Sequence, residues 1–205
     1  MVPIRSAIIQ DIEHMHVAGF ATLAYYYFDF RDVKKQDSYG LLSSLISQLS
    51  SKSDFCFNIL SELYYEISRG VQKPDNDALK ICLIDMLSLT GQAPIYIIID
   101  ALDECPNFSG RPSAREEVLD LIEELADLKL PNVHLCVASR PEIDIRMVID
   151  PLTTLKISLH DEIGQKEDII AYIKSVVRLD RRMRRWKDED KKLVVDTLSE
   201  KADGM

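Results

Sequence analysis

Apolar residues follow two different periods along the chain, and their alternation predicts an α/β fold. Helical spacing extends over residues 6–16, 38–49, 57–68, 77–89, 113–129, 144–149, 162–177 and 187–202. Runs rich in β-branched and aromatic residues predict strands over 21–30, 95–99, 134–139 and 154–159. Strands that alternate with helices are typical of a parallel sheet flanked by helices.

Two of these segments carry sharper signals. Residues 95–99 are Ile-Tyr-Ile-Ile-Ile, a short apolar run of the kind found in strands that are covered on both faces. Ser113 stands where a helix N-cap is expected, and Glu116 follows three residues later in the capping-box position. The first segment therefore predicts a central strand, and the second predicts the start of a helix.

Three carboxylates follow the strand over 95–99. Asp100 comes directly after the apolar run, with Asp103 and Glu104 close behind. Open α/β sheets bind their ligands at the carboxyl ends of strands, and an Asp there can hold a hydrated Mg²⁺ whose other ligands are substrate phosphates and water. Asp103 and Glu104 would then face an attacking water, so the cluster predicts nucleotide chemistry. The alternative is an acidic, solvated turn.

Arg140 follows the next strand, over 134–139. In a parallel sheet the end of that strand lies beside Asp100, and a planar, permanently charged guanidinium suits a phosphate oxygen. The alternative is a simple salt bridge between Arg140 and one of the acids. Both interpretations place Arg140 and the carboxylates at one edge of the sheet.

The overall charge limits the partners that the chain can have. The 205 residues carry a formal net charge of -9, which argues against a protein whose main work is wrapping nucleic acid. One basic run, between Arg178 and Lys187, surrounds Trp186. It is either a contact for nucleic acid or an anionic surface, or a solvated helix connection balanced by the acidic residues that begin at Asp188, and the pattern favours the connection.

Targeting and cysteine signals point to an ordinary cytoplasmic protein. No apolar stretch approaches the roughly 20 residues that a membrane-spanning helix needs, and the first residues lack the pattern of a secretory signal. The four cysteines are widely spaced without a CxxC pair, which favours core packing over metal or disulfide use. We therefore expect a cytoplasmic location and no membrane partner.

The segments around the two strand ends resemble a known family. IYIIIDALDEC and VHLCVASRP resemble the Walker B and sensor 1 segments of NACHT domains, which are signal-transducing P-loop ATPases of the AAA+/STAND type found in NOD-like receptors and nephrocystin-like proteins. The resemblance implies a P-loop NTPase-like sheet and the cofactors ATP and Mg²⁺. It also implies that Asp100 coordinates Mg²⁺, that Glu104 with Asp103 polarises the attacking water, and that Arg140 senses the terminal phosphate.

One part of the family pattern is missing from the 205 residues. The loop GxxxxGK[ST] should stand immediately before the first helix, and only residues 1–5 precede that helix here. The backbone N–H groups of such a loop supply much of the phosphate binding, so we expect weak or absent ATP binding and no turnover by this chain alone. The resemblance also implies that the strand before the loop, which is missing as well, lies between the strands over 134–139 and 154–159.

The resemblance further implies an organisation and a class of partner. Residues 1–160 correspond to a partial NACHT core, and residues 161–205 to a helical segment that leads toward a winged-helix region. Nucleotide exchange in an intact relative would switch an autoinhibited receptor to an oligomer, so protein partners or self-association are expected. The alternatives are a nucleotide-free interaction or scaffold module, and an incomplete gene model whose upstream sequence restores the loop.

Overall fold

A computed structural model describes residues 4–67, 72–107, 112–158, 163–180 and 182–201. The chain divides into two compact units, one formed by residues 2–153 and the other by residues 154–205. The first unit contains the sheet and the predicted site residues. The described part of the second contains two α-helices.

Over the described residues, the first unit contains six α-helices and three strands. The helices are α1 (Ile4–Val17), α2 (Ser38–Ser50), α3 (Asp54–Glu66), α4 (Asn76–Leu87), α5 (Ala114–Asp127) and α6 (Ile143–Leu152). The strands are β1 (Thr22–Tyr27), β2 (Ile95–Asp100) and β3 (Val133–Val137). The second unit contains α7 (Ile163–Leu179) and α8 (Asp188–Lys201). None of the described helices is both long and apolar enough to cross a membrane.

The described strands form one parallel sheet in the order β1-β2-β3. The central position of β2 explains its composition, because Ile95, Ile97, Ile98 and Ile99 are all buried. This confirms the prediction of a parallel α/β sheet flanked by helices, with residues 95–99 covered on both faces.

Apolar clusters lie on both faces of the sheet, and they differ in size. The larger cluster packs α2, α4 and α5 against the face that carries Ile97 and Ile99 of β2. The smaller one joins Ile9 and Ile12 of α1 to Leu23 of β1 and Ile98 of β2. Most of the apolar burial that stabilises the unit therefore lies on the α2, α4 and α5 side.

Polar side chains fix the starts of the helices that flank the larger cluster. Asp37, Ser53 and Asp75 each precede a helix and accept a hydrogen bond from a backbone N–H of its first turn. Ser113 and Glu116 form the predicted capping box at the start of α5. The cap at Ser53 also explains why α3 begins at Asp54 and not at residue 57 as predicted.

The predicted strand over 154–159 is wrong as far as the structure describes it. Residues 154–158 form no strand, and Leu159, its last residue, lies outside the described residues. Leu155 and Ile157 are 77% and 65% exposed. A β-branched segment becomes a strand only where a neighbouring strand can take up its backbone hydrogen bonds, and the sheet of described residues ends at β3.

Candidate active site at the ends of β2 and β3

The end of β2 carries the first candidate residue, Asp100. The strand register pairs Tyr27 of β1 with Asp100 and Ile99 with Val137 of β3, so Asp100 lies between the ends of both outer strands. Asp100 is only 8% exposed. Its Oδ1 accepts a hydrogen bond of 2.9 Å from the backbone N–H of Ala101, which leaves the carboxylate at the edge where parallel sheets place ligands.

The chain turns sharply directly after Asp100. Ala101 adopts a left-handed conformation with φ 55° and ψ 42°, which costs an alanine energy that a glycine would not lose. Leu102 begins a single 3-10 turn that runs to Glu104; it is fully buried, and its backbone N–H donates to the carbonyl of Ala138 at 3.2 Å. The buried Leu102 therefore anchors the turn that carries the other two carboxylates.

Asp103 connects this turn to the segment after β3. Its Oδ1 accepts a 3.1 Å hydrogen bond from the backbone N–H of Arg140, and its Oδ2 lies 3.4 Å from the Nε of the same residue. The hydroxyl of Ser139 donates to Oδ1 at 3.5 Å. The Arg140 side chain is 83% exposed and that of Asp103 is 10% exposed, so an ion pair joins the two strand ends while the guanidinium stays open to solvent.

Glu104 connects the same turn to the segment after β1. Its Oε2 accepts a 3.2 Å hydrogen bond from the backbone N–H of Phe30. Beside it, Arg31 forms an ion pair of 3.0 Å with Asp29, and the hydrogen bonds from Arg31 lower the pKa of the Asp29 carboxyl. The structure therefore brings Asp100, Asp103, Glu104 and Arg140 to one edge of the sheet, as the sequence predicted.

Arg115 is a further residue of this region, and sequence reasoning missed it. Its guanidinium donates to the carbonyl oxygens of Asp103 (2.6 Å) and Cys105 (2.9 Å) and to the carboxylates of Glu142 and Asp144. Burial lowers the pKa of Arg115, but the hydrogen bonds to the two carboxylates outweigh it and hold the pKa above its ordinary value.

A signal for Arg115 was present in the pattern of α5. The buried positions of that helix include Val118, Leu119, Ile122 and Leu125, and Arg115 extends the same stripe by one turn toward the N-terminus. A charged residue on the apolar stripe of a helix is rarely buried without partners. Its presence could have predicted carboxylates or carbonyls nearby, although it could not have identified which ones.

The carboxylates at this edge fit a Mg²⁺ site only if water and phosphate oxygens supply most of the ligands. No group of three or more His, Cys, Asp or Glu side chains that could hold a metal comes together in the described part of the chain. Mg²⁺ commonly takes one or two protein carboxylates and completes its shell with water and phosphate oxygens. Asp100 fits such a partial shell, whereas a site built from protein ligands alone is not formed by the described residues.

Comparison with known proteins places the chain in a family. The model of the family described as "Nephrocystin 3, N-terminal" matches residues 4–140, which is more than half of the chain. The chain belongs to this nephrocystin 3 N-terminal family. The match begins with α1 and ends at Arg140, so the nephrocystin-type segment contains the whole sheet and all four predicted site residues. No curated protein and no solved structure matches the chain.

Proposed function

We propose that the nephrocystin-type segment is part of a NACHT-like signal-transducing ATPase, and that it supplies the magnesium and water side of the nucleotide site. The observation that carries the proposal is the convergence of the buried Asp100 with Asp103 and Arg140 at the carboxyl ends of two adjacent parallel strands. Nucleotides bind at this edge in open α/β sheets. The family match supports the same interpretation without deciding the chemistry.

The proposed roles follow from the position of each side chain. Asp100 would hold Mg²⁺, which when bound neutralises charge on the phosphates. Glu104 and Asp103 would orient the attacking water, and the exposed guanidinium of Arg140 would donate to a terminal phosphate oxygen. In the structure Asp103 accepts from Arg140 and Glu104 accepts from Phe30. A carboxylate can accept several hydrogen bonds, so these contacts are compatible with an oriented water.

The second half of the site would have to come from elsewhere. No GxxxxGK[ST] sequence occurs in the 205 residues, and the N–H cradle of such a loop provides much of the affinity for phosphate. We therefore expect the chain alone to bind Mg·ATP weakly and to turn none over. Switching between nucleotide states, with self-association as its outcome, would belong to a longer chain that carries this loop.

A second function, a nucleotide-free interaction or scaffold module, is favoured by one observation. Asp103 and Glu104 already use their carboxylates as clamps, one to the segment after β3 and one to the segment after β1. Clamps of this kind stabilise a fold whether or not a nucleotide binds. On this alternative Asp100 and Arg140 would be parts of a structural network.

A binding experiment separates the two functions. Mg·ATP is titrated calorimetrically into the 205-residue chain and into a longer chain in which a strand and a GxxxxGK[ST] loop precede Ile4. We expect binding by the longer chain only, a loss of its Mg²⁺-dependent part in Asp100→Asn, and no change in Asp120→Asn, which removes an exposed carboxylate from α5. Low-micromolar binding by the 205-residue chain would refute the need for the loop, and no binding by the longer chain would leave the scaffold function.

A further inference from the structure

The unit formed by residues 154–205 contains a cavity of its own. It has a volume of about 550 Å³ and is lined from both of the helices, α7 and α8. Val177, which is buried, and Val195 give it an apolar part. Small-molecule sites have volumes of roughly 300–1,000 Å³, so the cavity is large enough for a compact organic ligand.

Positive charge is concentrated around this cavity. Residues 174–192 contain nine Lys and Arg against four Asp and Glu, whereas the chain as a whole carries a net charge of -9. The lining itself includes Lys174 and Arg178 of α7 and Lys191 and Lys192 of α8, against two carboxylates. The cavity is therefore cationic within an acidic protein, and its potential attracts anions.

Three of the four cations in the lining form no ion pair within the part of the chain that the structure describes. Lys191 forms an ion pair with Asp188, with its Nζ 3.3 Å from the carboxylate. Over the described residues, no ion pair is formed by Lys174, Arg178 or Lys192. Lys174 and Arg178 are also one helical turn apart, a spacing at which like charges destabilise a helix. An anion held in the cavity would relieve that repulsion.

We propose that the cavity between α7 and α8 binds a small ligand that carries several phosphate groups. Lys174, Arg178 and Lys192 would contact the phosphate oxygens, and the two valines would contact the carbon framework of the ligand. The acidic remainder of the chain opposes the approach of a long polyanion. A compact ligand therefore fits these observations better than a nucleic acid does.

Two sources could supply this chemistry, a free polyphosphorylated small molecule or the headgroup of a polyphosphorylated lipid. Inorganic tripolyphosphate is the probe for the first source. Phosphatidylcholine vesicles with and without a polyphosphorylated phosphoinositide are the probe for the second. The intact 205-residue chain is used in both arms, and a single-stranded oligonucleotide serves as the competing class.

Trp186 provides a readout for the soluble probe. It is the chain's one tryptophan, is 42% exposed, and lies two residues before Asp188 of the cavity lining. We expect tripolyphosphate to change its fluorescence saturably, with an affinity that falls as salt is added. Vesicle binding is measured by co-sedimentation.

A pair of matched variants tests the assignment. The triple variant Lys174→Gln, Arg178→Gln, Lys192→Gln removes three charges from the cavity. Its control, Arg182→Gln, Arg185→Gln, Lys187→Gln, removes three charges from the connection between the same helices, outside the lining. Glutamine is a good helix former, so both should fold. A single Lys192→Glu variant provides a second test with one substitution.

The outcomes distinguish specific binding from general attraction. We expect the cavity variant to bind roughly tenfold more weakly or worse, Lys192→Glu to show a smaller loss, and the control to bind as the unaltered chain does. Equal losses in both triple variants would overturn the proposal, because they would show attraction to the whole basic segment. Preference for the oligonucleotide over both phosphate probes would also overturn it.

Discussion

The two outer strands of the sheet differ in whether side chains form hydrogen bonds with their backbone. At β1, the side chain of Gln48 on α2 accepts from the backbone N–H of Tyr25 at 3.1 Å and donates to its carbonyl at 2.7 Å. The ammonium of Lys52 donates to the carbonyl of Leu23. At β3, no side chain of the described residues bonds to the backbone, and alternate residues such as His134 and Cys136 are exposed.

The difference shows that the β1 edge of the sheet is closed, in the sense that side chains occupy its backbone hydrogen-bonding groups. Gln48 occupies the donor and acceptor positions that an added strand would use, and this protects an edge against pairing. The β3 side has no such protection in the described part of the chain. The candidate site lies at the ends of β2 and β3, next to the open side, where loops and ion pairs take the place of strand pairing.

The largest expected effect comes from removing the ion-pair network beside β3. Arg115→Met should destabilise the protein by about 3 kcal/mol, because Glu142, Asp144 and the carbonyl of Asp103 lose a buried donor. Urea unfolding measures this loss. Arg146→Met, which breaks an exposed pair with Asp150 on α6, is the control and should cost about 0.5 kcal/mol or less. Equal losses would show that the loops beside β3 do not depend on Arg115.

One substitution on α2, beside β1, should destabilise the protein although replacing Gly by Ala normally stabilises a helix. A Cβ at Gly40 of α2 would lie 2.4 Å from the carbonyl oxygen of Lys34 and 2.6 Å from the hydroxyl of Tyr26. We expect Gly40→Ala to cost about 2 kcal/mol through overpacking, although Ala normally stabilises a helix relative to Gly by up to about 1 kcal/mol. Thermal melting gives the sign directly. Ser47→Ala, an exposed site on the same helix, should be neutral or stabilising, and a stabilised Gly40→Ala would contradict the close packing.

Removing the side chain that covers the edge of β1 tests the contrast between the β1 and β3 edges. Gln48→Leu removes both hydrogen bonds to Tyr25 and should cost about 1 kcal/mol. It should also raise self-association measured by sedimentation, because β1 then offers free backbone groups. Gln10→Leu makes the same change at an exposed position of α1 and controls for added apolar surface. If both variants associate equally, the edge of β1 is not what Gln48 protects.

The smallest effect concerns the thiols. Cys136 on β3 is exposed, whereas Cys56, Cys82 and Cys105 are buried, and burial raises the pKa of Cys82 to about 11 and that of Cys105 to about 12. A thiol reagent should therefore label one site quickly in the native protein and four after denaturation. Cys136→Ser should lose the rapid phase; labelling of the buried thiols at a similar rate would show that the larger cluster opens readily.

Partial burial of its sulfur and then the negative charge of Asp100 raise the pKa of the Cys136 thiol above its ordinary value. The reaction of Cys136 should consequently accelerate as the pH rises. At a fixed pH, Asp100→Asn should make the reaction faster, and Asp120→Asn should leave its rate unchanged. An unchanged rate in Asp100→Asn would mean that the carboxylate does not influence β3.

The sequence was most informative where local patterns carry the structure. The apolar run before Asp100 predicted a buried strand, and Ser113 with Glu116 predicted a helix start, because both signals depend on neighbouring residues alone. The four candidate residues were selected in the same way, as polar groups at predicted strand ends. Their convergence followed from the parallel order of β2 and β3.

The predictions from sequence failed where contacts between residues far apart in the chain determine the structure. Residues 154–158 have a strand-like composition, but strand formation needs a paired neighbour, and local sequence does not supply one. Arg115 was missed because its partners, Glu142 and Asp144, lie at the start of a different helix, far along the chain. The bonds from Arg140 to Asp103 and from Phe30 to Glu104 join segments that only the folded sheet brings together.

The left-handed backbone of Ala101 has a consequence for how the sheet edge could respond to a ligand. An alanine stays in this conformation only while its surroundings compensate the strain, here through buried Leu102 and the hydrogen bond that the Ala101 N–H donates to Asp100. A cation that drew the Asp100 oxygen away from the Ala101 amide would remove one of those restraints. The strain at Ala101 would then favour movement of the turn that carries Asp103 and Glu104. Binding of the cation would thus be coupled to release of the hydrogen bonds that these two carboxylates accept.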